Sequence, residues 1–147
     1  MMETVKKETC KNKVEPALQN IIQDWTEAQK YYDIDEEKRY SPKDESLSDY
    51  EDFFDYVNNY GLCFDYVSPN TFDNQDVGYF RYQVCYGGPT QEFRIYTDYN
   101  KNIDRIEFWY LDWFDGSELE TDEDIIKQVL RDFIDCSQIE PSEVNNG

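Results

Sequence analysis

The sequence predicts an α+β domain: a small antiparallel sheet of about four strands, packed with two N-terminal helices and one C-terminal helix. Three observations predict it. Across residues 78–116, apolar and polar side chains alternate with a period of two, in runs separated by turn residues. Residues 14–32 and 121–134 instead repeat apolar side chains every three or four positions, the period of a helix. Aromatic residues make up 17% of a 147-residue chain, enough to fill the core of one domain.

Residues 1–13 read as a flexible basic arm, with Lys6, Lys7, Lys11 and Lys13 opposed only by Glu3 and Glu8. The domain proper is expected over 14–139 and a polar tail over 140–147. In the first helix, Val14, Ala17, Leu18, Ile21, Ile22, Trp25, Ala28 and Tyr32 form one apolar stripe, and Pro16 fits the first turn. Residues 33–45 form a charged linker. A second helix starts near Ser46 or Ser48, buries Leu47, Tyr50, Phe53, Phe54 and Val57, and stops at Gly61. Residues 62–67 read as a short strand and 68–77 as a polar loop.

In the next strand Phe80, Tyr82, Val84 and Tyr86 share a face, opposite Arg81, Gln83 and Cys85. Residues 87–90, with two glycines and Pro89, suit a hairpin turn. The following strand sends Phe93 and Ile95 inward and Glu92, Arg94 and Tyr96 outward. After a turn at 100–102, the run 103–114 alternates through Ile106, Phe108 and Tyr110. It then becomes aromatic on both sides with Trp109, Trp113 and Phe114, so its far end is expected to be covered on both faces. The last helix begins at Thr121, a plausible cap, with Asp122, Glu123 and Asp124 at the positive end of its dipole. Its apolar face is Ile125, Ile126, Val129, Leu130, Phe133 and Ile134.

The charge balance is 33 acidic to 14 basic residues, formally −19. Such a charge argues against direct contact with nucleic acid or an anionic membrane and favours a basic partner or cations. No apolar run approaches the roughly 18 residues of a membrane span, and the N-terminus has no secretory apolar core. A cytoplasmic location with free thiols is therefore expected. Cys10, Cys63, Cys85 and Cys136 are scattered and there is no histidine, which makes a zinc site improbable.

The same absence removes histidine-based triads, and no phosphate-cradling or dinucleotide motif is present. With 33 acids, some carboxylate pair falls close by chance, so no catalytic residue is singled out and the chain is read as a non-enzyme without cofactor. Calcium loops fail as well. Aligned on Gly116 the first ligand position would be Leu111, and aligned on Gly78 the third and fifth would be Gln75 and Val77.

The distribution of charge is more informative than its sum. No lysine or arginine falls between Lys43 and Arg81, or between Arg105 and Lys127. From these two windows the candidate partner-binding residues are Asp49, Glu51, Asp52 and Asp55, and Asp112, Asp115, Glu118 and Glu120. On one continuous helix Asp49, Asp52 and Asp55 would fall three apart on one side, where like charges cost about 0.2–0.5 kcal/mol per pair. Closely spaced carboxylates approximate the field of a duplex, which carries about one charge per 1.7 Å of axis.

The segments Gly78-Tyr79-Phe80-Arg81-Tyr82-Gln83, Gly87-Gly88-Pro89, Glu92-Phe93-Arg94 and Leu111-Asp112-Trp113-Phe114 resemble an uncharacterised family of small acidic proteins of bacteria and of their phages and plasmids. The likeness covers about a quarter of the chain. It implies a mobile-element setting, and the cytoplasm of a host cell if phage-encoded. Small acidic proteins of that setting often counter restriction or CRISPR systems. Antirestriction proteins and DNA-mimicking anti-CRISPR proteins are similar in charge, not in motif, and no functional residue carries over. The resulting expectation is an inhibitor that occupies a basic nucleic-acid-binding surface of a defence nuclease. The alternatives are an acidic regulatory module without mimicry and, more remotely, a carboxylate-based hydrolase.

Overall fold

The computed structural model describes residues 9–41, 45–87, 89–112 and 115–141. Helix α1 (Cys10–Asp33) leads through two 3-10 turns, Glu36–Lys38 and Glu45–Asp49, to a short α2 (Phe53–Tyr60). Strands β1 (Cys63–Val67), β2 (Tyr79–Cys85), β3 (Thr90–Thr97), β4 (Ile103–Asp112) and β5 (Asp115–Glu120) follow, and α3 (Asp124–Ser137) closes the chain. The five strands form one antiparallel sheet in sequence order. All three helices pack on one of its faces.

Register explains the core. Phe93 stands opposite Tyr82 and Phe108, and Ile95 opposite Phe80 and Ile106, so these side chains share the helix-facing side. Each is buried. Trp25 of α1 is fully buried among them, with ring centroids 5.8 Å from Phe93, 5.9 Å from Tyr82 and 5.8 Å from Tyr60. Aromatic packing of this density, beyond area alone, favours tilted and edge-on pairs worth about 0.5–1.5 kcal/mol each.

Several boundaries differ from expectation. Helix α1 begins at Cys10, not Val14, so part of the expected basic arm is helical; residues 1–8 lie outside the described residues. The early start has a physical cause: Cys10 is buried and its N–H donates to Asp115 Oδ2 at 2.9 Å. Of the expected tail, 142–147 also lie outside. The stripe of α1 ends on Tyr31, which is buried, while half-buried Tyr32 donates from its hydroxyl to the Leu47 carbonyl.

The expected second helix is broken. Its first half is a 3-10 turn, and α2 starts only at Phe53, where the Asp52 carboxylate accepts from the Asp55 N–H at 2.8 Å. It buries Tyr56 and Val57, leaving Phe54 exposed. Asp49, Asp52 and Asp55 thus do not line one helix face. Tyr86, expected inward, lies past the end of β2 and is 73% exposed. Glu92 faces away from the helices as expected, yet only 3% of it is exposed. The fifth strand is an addition to the four or so expected: residues 115–120 hold Leu119 as their only large apolar side chain, too little for a period of two to show. Trp113 and Phe114, on which coverage of both faces rested, lie outside the described residues.

Candidate functional site

The two acidic windows are not one surface. The second meets the first residue of α1 through Asp115, while Leu47, just ahead of Asp49, meets Tyr32 near the end of that helix. At a 1.5 Å rise per residue these contact points are about 33 Å apart. Asp115 and the 3-10 turn that ends at Asp49 therefore sit at opposite ends of α1, and β1 and β5 are opposite edges of the sheet.

Within the first window Asp49, Glu51 and Asp52 are exposed and Asp55 is half-buried. Two of these carboxylates hold the start of α2. Asp52 is its N-cap, and Asp55 returns the contact by accepting from the Glu51 N–H at 3.0 Å and from Asn59 Nδ2 at 3.1 Å. The Asp49 and Glu51 side chains make no hydrogen bond or ion pair among the described residues.

In the second window Asp112 and Asp115 face each other across the end of the β4–β5 ladder. Asp112 is half-buried. Asp115 caps α1 from a distance of 105 residues in sequence. The Cys10 N–H, with smaller help from the Cys10 side chain and the Gly116 N–H, holds its carboxyl below the usual aspartate value. Glu118 and Glu120 stand opposite Trp109 and Glu107, on the sheet face turned away from the helices. Both are exposed, and their side chains make no hydrogen bond or ion pair among the described residues.

That outer face carries the arrangement that sequence reading passed over. Three of the chain's five arginines lie on it, each against a carboxylate. Arg81 grips Asp65 with two bonds of 2.9 and 2.6 Å. Arg94 Nε lies 2.8 Å from Glu92 Oε2, and Arg105 Nε lies 3.2 Å from Glu107 Oε2. Guanidinium planes also stack on rings: Arg94 is 4.0 Å from the Trp109 centroid, and Arg105 is 4.1 Å from that of Tyr96. Trp109 Nε1 donates to Glu107 at 3.1 Å. Three positive and three negative groups cancel, so this strip is neutral within a strongly acidic protein. The signal was in the sequence, as arginines alternating with aromatics at a strand period, but the pairing across strands needed the register.

The 68–77 loop is ordered by Gln75, whose side-chain nitrogen donates to the Ser68 and Val77 carbonyls at 2.9 and 3.0 Å. It presents Phe72, Asp73, Asp76 and Val77 beside the neutral strip. A cleft of about 410 Å³ separates them, floored by Tyr79, Arg94, Tyr96, Arg105 and Trp109.

Chemically, these surfaces offer unneutralised carboxylates and an aromatic, arginine-lined cleft as ground for binding. Among the described residues no group of three or more cysteines and carboxylates is placed to hold a metal ion. Nor is any helix among the described residues long and apolar enough to cross a membrane. Neither a protein-family model, nor a curated protein, nor a solved structure matches the chain.

Proposed function

We propose that the protein is an acidic inhibitor that occupies a basic nucleic-acid-binding surface of a defence protein, such as a restriction or CRISPR nuclease, by presenting carboxylates in place of phosphates. The observation that carries this reading is the division of charge. The arginines of the sheet neutralise their own carboxylates, whereas Asp49, Glu51, Glu118 and Glu120 are exposed and unneutralised. Exposed charge without counter-charge costs folding energy by self-repulsion and steers a basic partner. The reading places the protein in the cytoplasm of the cell whose defence it meets, with no catalytic group, metal or cofactor.

The test is binding of the immobilised protein to a panel of purified nucleases and CRISPR effectors across a salt series. Exposed ion pairs are screened beyond about 8 Å at physiological salt. The expected result is a partner whose association rate falls steeply with salt and which duplex DNA or guide RNA displaces. Salt-insensitive binding that nucleic acid leaves untouched would overturn it. A second reading, a regulatory binding module without mimicry, is favoured by the aromatic and arginine-lined cleft, since those residue types anchor ordinary protein interfaces.

A further inference from the structure

We propose that the edge of β1 is a docking site for an extended basic segment of a partner protein, which adds to the sheet as a sixth strand. It rests on the acidic-inhibitor reading only for the partner's charge.

The first support is that β1 is a bare edge. Its register with β2 is unbroken over residues 63–67, while β2–β3 and β3–β4 carry irregularities. Among the described residues no backbone hydrogen bond reaches β1 from the side away from β2. Native edges are normally blocked by shortness, by unpaired charge on the strand, above all lysine, by proline, by a bulge, by an inward-pointing charge or by a covering element. Residues 63–67 contain no lysine or proline, and their one charge, Asp65, is turned across the sheet into Arg81.

The second support is apolar. Of seven large hydrophobic side chains exposed among the described residues, four fall in the segment running through β1: Phe54, Leu62, Phe72 and Val77. They flank both sheet faces. Phe54 packs at 5.6 Å on Phe133, which stacks at 5.4 Å on Phe64 of β1, on the helix side. Phe72 and Val77 lie on the outer side, beside Tyr79, the neighbour of Val67 in the ladder. Leu62, at the start of the edge, is 62% exposed. An added strand sends alternate side chains to the two faces, so apolar ground on both suits it.

The third support fixes the occupant. The cation-free window includes Asp49, Glu51, Asp52, Asp55, Asp65, Asp73 and Asp76, and among these seven only Asp65 has an ion pair. Such a surround favours a lysine- or arginine-bearing strand. It disfavours a second copy of this chain, since each carries −19.

The probe is a short fluorescent peptide of alternating lysine and valine, titrated by anisotropy against the full chain, with hydrogen exchange followed in the complex. Expected are saturable binding, slowed exchange confined to residues 62–67, and at least tenfold weaker binding both for the same peptide N-methylated at alternate amides and for the Leu62→Lys variant. N-methylation keeps the charge and removes the ladder. If the methylated peptide binds equally, or protection falls outside β1, or no peptide binds, edge addition is overturned and the acidic-inhibitor reading stands on its own test. If a glutamate-for-lysine peptide binds equally, the basic occupant is overturned, and that result also counts against the inhibitor reading. A concentration-dependent dimer abolished by Leu62→Lys would make the occupant a second copy and overturn the proposal.

Discussion

The two edges of the sheet both lie beside acidic, cation-free stretches of sequence but are built in opposite ways. At β5, carboxylates occupy the strand itself, and Asp115 is spent on the first N–H of α1. Charge on the strand guards that edge against pairing. At β1 the one acid on the strand, Asp65, is neutralised by Arg81, and the other acids lie around it, on the 3-10 turn, the α2 cap and the 68–77 loop. Carboxylates thus protect one edge and frame the other. Acidity alone does not say which edge meets a partner; the position of the carboxylates relative to the ladder does.

The comparison breaks most visibly at Phe133. Phe133→Ala removes the ring joining Phe54, Phe64 and Tyr82, and should cost about 3–5 kcal/mol in denaturant unfolding. Amides of β1 should then exchange faster before those of β4 do. Leu119→Ala, half-buried on β5, should cost about 1 kcal/mol and leave β1 protection unchanged.

Next come the carboxylates with structural work. Asp52→Ala should cost about 1 kcal/mol by removing the α2 cap, while Asp52→Asn should be close to neutral, since asparagine caps as well. Asp115→Ala should lower the melting temperature and shorten α1. Its carboxyl is depressed in the folded state, so its contribution is present above the ordinary aspartate value of 3.8 and lost as pH falls through and below it. Asp98, lowered chiefly by the Asn102 side-chain amide, adds to the same acid limb. The melting temperature of Asp115→Ala should therefore fall less with acid than that of the parent. At the alkaline end the sign reverses. Burial raises the phenols of Tyr60 and Tyr82, with the Asp24 bond adding at Tyr60, so their contribution holds below the ordinary tyrosine value of 10.0 and is lost above it. Tyr60→Phe should flatten that alkaline loss.

How much of this was legible beforehand follows from where the apolar residues are. Strands β2 to β4 and helix α3 alternate or repeat apolar side chains cleanly, and both the fold class and the core positions Phe93, Ile95, Ile106, Phe108 and Ile126 could be read from them. β5 was invisible because an edge strand with Leu119 as its only large apolar side chain has no pattern to show. The split of the second helix turned on a cap, Asp52, competing with continuation of a helix from residue 46, a choice made by tertiary contact of Leu47 with Tyr32. The candidate acids were visible as a charge window, but their division into caps (Asp52, Asp55, Asp115) and unpaired groups (Asp49, Glu51, Glu118, Glu120) required the hydrogen bonds.

The smallest effects sharpen the comparison by leaving stability alone. Leu62→Lys at the bare edge and Glu118→Gln at the guarded one should each change stability by no more than about 0.5 kcal/mol. Only the first should weaken the lysine–valine peptide.

Capture of a basic partner by unneutralised carboxylates is tested most directly by one competition experiment on two charge-removal pairs, Asp49→Asn with Glu51→Gln, and Glu118→Gln with Glu120→Gln. The nuclease or effector retained by the parent is titrated against each, with and without duplex DNA, and melting temperatures are measured alongside. At least one pair should lose binding with its melting temperature held, and DNA should displace the parent protein. Parent-like binding by both pairs, together with indifference to DNA, would contradict the acidic-inhibitor mechanism.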